Sequence, residues 1–179
     1  MNFYPGGNVV IGAKIATNIE ATISEFVTDK SHIMIVGGDG ANVNKSASDS
    51  QYPWVPMLKR WTTGGAEVDY LFQNPSAETM SYLRKEFSAV HNMRIRVVNE
   101  IIENEDVAHS AKKLETLHFL IVDEDGHDNA VWIEPNHEIG KTETDAQYFT
   151  PTNVSVISST LGVFRTVFKD IFNNYSHSI

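Results

Sequence analysis

The stretch "LHFLIVDEDGHDNAVWIEP", Leu117 to Pro135, constrains what this chain can fold into more than any other. Two apolar runs, "LHFLIV" and "AVWIEP", flank the polar segment "DEDGHDN". Apolar runs of this length bounded by turn residues read as buried strands, and the segment between them as a hairpin turn. A buried antiparallel pair needs a packing layer on each face, so the rest of the chain has to supply helices.

It does. Ile15, Ile19, Ile23, Phe26 and Val27 fall at helical spacing and predict an amphipathic helix from Ile15 to Val27. "HIMIVGG" predicts a short buried strand ended by glycines, and "DGANVNKSASDSQYP" a polar loop with little to bury. A short helix is expected around Val55 to Trp61, stopped by "TTGG", and "AEVDYLF" reads as the next strand. Asn74-Pro75 offers a cap followed by a proline suited to a first helical turn. That helix runs to about Val90 and buries Met80, Leu83, Phe87 and Val90. "MRIRVVN" is a strand with Arg94 and Arg96 on one face. Asn99 to Lys113 is polar, lacks a period and reads as a loop. "AQYFTP" predicts a strand ended by Pro151. A wide apolar stripe from Ile157 to Tyr175 then marks a last helix packed on the sheet. The order predicts one α/β domain over residues 1–179: a mixed β-sheet flanked by helices on both faces, its strand order unreadable.

Composition narrows the function classes. No apolar run approaches the roughly 20 residues of a membrane span, and the start "MNFYPGGNVV" lacks the pattern of a secretory signal. The absence of cysteine excludes disulfides, thiolate metal sites and cysteine nucleophiles, and fits a cytoplasmic setting. A net charge of −9, with 23 acidic residues against 14 basic ones, disfavours broad nucleic-acid binding, which depends on cations displacing counterions from phosphates.

The run "IMIVGGDGAN" is similar to the GGDG signature of diacylglycerol kinases and NAD kinases, in which glycine-rich backbone approaches phosphate after a strand. Such a cradle leads into a helix, and "NVNKSASDSQYP" reads as a poor one. The expectation is a strand terminator and flexible turn, with nucleotide binding through Gly37 to Gly40 as an alternative.

The strand around His118 resembles the motif strand of the phospholipase D-like superfamily, whose members carry HxKxxxxD, often around "FLIVD". Here "FLIVD" is Phe119 to Asp123, which sets Thr116 at the family's histidine and His118 at its lysine. "WIEPN" falls where a GSxN-like element belongs: Asn136 is kept, while Ile133 and Glu134 replace glycine and serine. The family's later acidic pair falls near Asp145 and Gln147. The resemblance covers nearly the whole chain in element order. It implies a two-step phosphodiester displacement in which one histidine attacks phosphorus, a second protonates the leaving oxygen, and lysines hold the phosphate charge. For a one-motif chain it also implies a site shared across a homodimer.

In this sequence the reactive parts are replaced. Thr116 has a neutral hydroxyl with no adjacent base, and His118 stands where a fixed cation is needed. The expectation is a domain that has lost phosphodiesterase activity and serves in binding, scaffolding or regulation, with no cofactor and no metal. The degenerate site comprises His118, Thr116, Asp123 and Asn136, with Glu134, His137 and Gln147 as binding residues for a phosphate-containing ligand. The alternative is an active phosphodiesterase using His118 across a homodimer. "DEDGHDN" lacks the spacing of a calcium loop, and His127 with His137 lacks a third zinc ligand.

Overall fold

The computed structural model describes residues 4–98, 118–135, 138 and 140–179. In chain order the first elements are β1 (Asn8–Lys14), α1 (Ile15–Thr22), β2 (Ser31–Val36), α2 (Ala41–Ser48) and α3 (Trp54–Thr63). They are followed by β3 (Glu67–Phe72), α4 (Ala77–Phe87), β4 (Met93–Val98), β5 (His118–Glu124) and β6 (His127–Glu134). The last are β7 (Glu143–Phe149), α5 (Ser158–Asn174) and β8 (Ser176–Ser178). Short 3-10 turns occupy Ser24–Phe26 and Val154–Ile157.

The strands form one mixed sheet in the order β1-β7-β6-β5-β2-β3-β4-β8. Only the β2–β3 and β3–β4 pairs are parallel; the other neighbours are antiparallel. β5 and β6 make the expected hairpin through Asp125 (φ +52°) and Gly126 (φ +82°), the two left-handed residues that a tight two-residue turn requires. Asp123 Oδ1 accepts the Gly126 N–H at 2.8 Å and closes that turn.

Strand alternation divides the core into two layers. Leu120, Val122, Ile33, Ile35 and Trp132 pack with α1, α3 and α4 on one face of the sheet. Phe119, Ile121, Met34, Val131 and Ile133 face α5, which contributes Leu161, Phe168, Ile171 and Phe172. Phe119 stacks on Phe164 with ring centroids 5.4 Å apart. The apolar stripe of the last helix thus finds the partner that its width demands.

A polar row crosses the α5 side. Asp69 lies between His32, whose Nε2 is 2.8 Å from Oδ2, and Arg94, whose Nε and Nη2 donate at 2.5 and 2.6 Å. Burial alone pushes the Asp69 carboxyl up, but the His32 and Arg94 hydrogen bonds and the Arg94 charge together hold it below its ordinary value. A carboxyl depressed on folding contributes stability that is complete above its unfolded pKa, about 4, and is lost as the pH falls through the folded value. Asp69→Asn is therefore expected to cost about 1–3 kcal/mol at neutral pH. It should also flatten the loss of stability below about pH 4, as read from urea midpoints at several pH values.

Two expectations need correction, and two strands went unread. Ala41–Ser48 is helix α2, where the sequence reads as loop. Its polar residues make tertiary bonds that periodicity cannot reveal: Asn42 Oδ1 accepts from the Tyr52 hydroxyl, Asn44 Oδ1 from Thr79, and Ser46 Oγ from Val55 N–H. Ser76, not Asn74, caps α4, accepting the Thr79 N–H at 3.1 Å, while Asn74 takes a left-handed φ of +49°. β1 was unforeseen because glycines surround it, Gly12 (φ +59°) sitting at a bulge against β7. β8 is the polar triplet "SHS" and carries no apolar signal. The loop expected over Asn99 to Lys113 lies outside the described residues.

Candidate functional site

β2 ends at Val36, and Gly37 to Gly40 turn the chain from the sheet into α2. The turn is tied to the end of β3: Gly37 N–H donates to Leu71 O at 2.9 Å and Gln73 N–H to Gly38 O at 2.8 Å. The β2–β5 register pairs Ile35 with Leu120. Carried two residues further, it sets Gly37 beside His118. Across β5 the other way, His118 pairs with Glu134.

Both first glycines are there because side chains come too close for anything else. A Cβ on Gly37 would lie 2.1 Å from Tyr70 Cε2, and one on Gly38 (φ +55°) 2.4 Å from His118 Cε1. The turn thus lies directly on the imidazole. His118 is 5% exposed and Glu134 4%. Their nearest polar atoms, Nδ1 and Oε2, are 3.8 Å apart, and Glu134 Oε1 accepts the Trp132 Nε1–H at 2.9 Å. Trp54 Nε1–H donates to the Tyr70 hydroxyl at 3.1 Å; burial pushes that hydroxyl's pKa up, partly offset by the Trp54 bond.

These groups surround a cavity of about 20 Å³ lined by Gly37, Asn42, Trp54, Tyr70, His118 and Glu134 among others. That is room for about one water molecule, not for a phosphodiester. No lysine or arginine is among its described lining residues, and the acidic Glu134 beside His118 disfavours a phosphate oxyanion.

Of the residues singled out from sequence, the structure brings His118 and Glu134 together. It separates Asp123 and Gln147 from them. Asp123 is five residues along β5 from His118, roughly 17 Å of extended chain, and faces α5. There it accepts from Gly126 N–H and pairs with Arg165, which also holds Asp128. Asp123 thus fixes the hairpin to α5. Gln147 pairs with Ile133 on the α5 side, where its amide binds both backbone groups of Tyr4, one at 2.8 Å. Asp145 accepts the Gly12 N–H at 2.9 Å. Thr116, Asn136 and His137 lie outside the described residues.

The glycine run is likewise occupied by the protein itself. Gly40 N–H donates to Gly37 O and Ala41 N–H to Asp39 Oδ1, in addition to the Gly37 bond. Sequence reasoning missed Tyr70, Trp54 and Trp132 as the walls around His118. The usable signal was the glycine pair, which marks close backbone approach as readily as a turn. Among the described residues no group of three or more His, Asp or Glu is arranged to hold a metal ion, and no helix is long and apolar enough to cross a membrane.

The architecture is an α/β layering over a large mixed sheet. No protein-family model matches the chain, and no curated protein matches its sequence. Among solved structures the chain is similar to TrmBL2, described as an archaeal chromatin protein that shows a novel mode of DNA binding. The TM-score is 0.54 at 12% identity, covering 97% of this chain and 54% of TrmBL2. This chain therefore spans about half the length of that protein, and at such identity the likeness concerns the fold alone.

Proposed function

We propose that this chain is a phospholipase D-like domain that does not hydrolyse phosphodiesters and serves as a binding, scaffolding or regulatory module. The observation that carries the reading is the burial of His118 under Gly38, with an acidic neighbour and a cavity of about 20 Å³. Hydrolysis by the route the resemblance implies needs an accessible nucleophile and positive charge at one phosphate, and the described surroundings of His118 offer neither. Support for the scaffold comes from the element order: a strand–helix alternation, then the "FLIVD" strand, its hairpin and a long last helix. A homodimer and a cytoplasmic setting go with the proposal, while the surroundings of His118 disfavour the phosphate-containing ligand expected there; a solution mass of 20.0 kDa at micromolar concentration would tell against the dimer.

Two other readings have less behind them. Nucleotide binding through Gly37 to Gly40 needs backbone N–H groups facing a ligand, and those of Gly37, Gly40 and Ala41 already have acceptors within the protein. The DNA binding ascribed to TrmBL2 meets a net charge of −9 here, which opposes coating of a polyanion. The decisive assay is hydrolysis of bis(p-nitrophenyl) phosphate without added metal. No release of p-nitrophenol above buffer is expected; turnover that disappears in His118→Ala would overturn the proposal.

A further inference from the structure

β8 pairs with β4 only at Arg96, Val97 and Val98. Beyond β8, Ile179 N–H donates to Ile95 O and Met93 N–H to Val90 O, both at 3.4 Å, so little of the rest of that edge is open. A groove of about 560 Å³ opens there between the end of α4 and the end of α5. Leu83, Phe87, Val90, Met93, Ile95 and Phe172 contribute its apolar surface.

The charge around this groove runs against that of the whole chain. The arginines are Arg60, Arg84, Arg94, Arg96 and Arg165, and three of these five line the groove. None of the 23 acidic residues is among its described lining residues. Arg94 is anchored by Asp69, and Arg96 Nε donates to Ser176 Oγ at 2.7 Å, so both guanidinium groups are held in place. Arg84 is exposed and makes no ion pair among the described residues. Arg94 is matched by Asp69, but Arg84 and Arg96 have no acidic partner among the described residues and leave a cationic rim over an apolar floor, which suits a segment carrying both carboxylates and apolar side chains.

We propose that this groove docks an acidic peptide segment of a partner protein, its apolar residues interspersed with glutamate or aspartate. A nucleic-acid strand fits less well. Stacking needs an open aromatic face, and Phe172 already carries the Arg94 and Arg96 guanidinium carbons at 5.7 and 5.4 Å from its ring centre. The groove lies at the β4 edge, away from β5, so the inference does not depend on the state of His118.

The test is fluorescence anisotropy of the whole chain with a labelled hexapeptide of alternating glutamate and leucine. Saturable binding is expected, weakened about tenfold or more in Arg84→Glu. Ser88→Glu, on the same wall, should weaken it as well. Lys141→Glu, at a corner of the molecule distant from the groove, should shift it less than about twofold. Absence of saturation up to about 1 mM peptide would overturn the proposal, as would equal loss in all three variants. So would tighter binding of a ten-nucleotide oligothymidine that is lost in Arg84→Glu.

Discussion

Gly38→Ala is expected to destabilise the chain by about 2–5 kcal/mol. Two effects add. Gly38 holds φ at +55°, and an L side chain in the left-handed region costs roughly 1–2 kcal/mol. The new methyl would also sit 2.4 Å from His118 Cε1 and 2.8 Å from Nε2. The ring is enclosed by the sheet, so the turn or the imidazole has to shift, and overpacking of this kind costs about 1–3 kcal/mol. Gly38→Asn separates the effects, because asparagine tolerates the left-handed region but still brings a Cβ. It should recover much of the backbone part, roughly 1–2 kcal/mol, and keep the loss due to the Cβ. The measure is the urea midpoint at unchanged m-value, against a total stability of about 5–15 kcal/mol for such domains.

Trp132→Ala should cost as much or more, about 4–8 kcal/mol. Trp132 is fully buried, lines the cavity beside His118 and stacks on Tyr148 with ring planes 11° apart. Truncation removes the ring, leaves a void that the sheet cannot close, and costs about 3–5 kcal/mol on that account. It also deprives the buried Glu134 Oε1 of the indole N–H, adding about 1–3 kcal/mol. Trp132→Phe isolates the second effect, since most of the volume stays while the donor goes. An intermediate loss is expected there, and wild-type stability of Trp132→Phe would mean that Glu134 does not depend on the indole.

What the sequence could disclose follows from the kind of interaction that holds each element. The β5–β6 hairpin and α5 were legible because apolar pattern and turn chemistry dictate them: "FLIV" and "AVWI" around Asp125-Gly126, then Leu161, Phe168, Ile171 and Phe172 at helical spacing. Helix α2 was not, because Asn42, Asn44 and Ser46 stabilise it through side chains remote in the sequence. β1 was obscured by its glycines and β8 by its brevity.

For the site, one rule went unused. His118 and Asp123 are five positions apart, an odd number, so a regular strand points them to opposite faces. Asp123 accordingly meets Arg165 of α5, and His118 meets Glu134 and the glycine turn on the other side. The parity of Gln147 against Ala146 separates it from His118 in the same way, since Ala146 packs in the layer that His118 faces. The approach of Gly38 to His118 could not be read, because it depends on a β2–β5 pairing between strands far apart in the chain.

Closure of the glycine turn over His118 is the claim on which the functional reading rests, and a double-mutant cycle between Gly38→Ala and His118→Ala tests it most directly. With the imidazole removed, the alanine methyl has room, and only the backbone strain remains. The cost of Gly38→Ala should then fall by about 1–3 kcal/mol relative to the same substitution beside an intact His118. A cost unchanged within about 0.5 kcal/mol would mean that the turn does not lie on the imidazole.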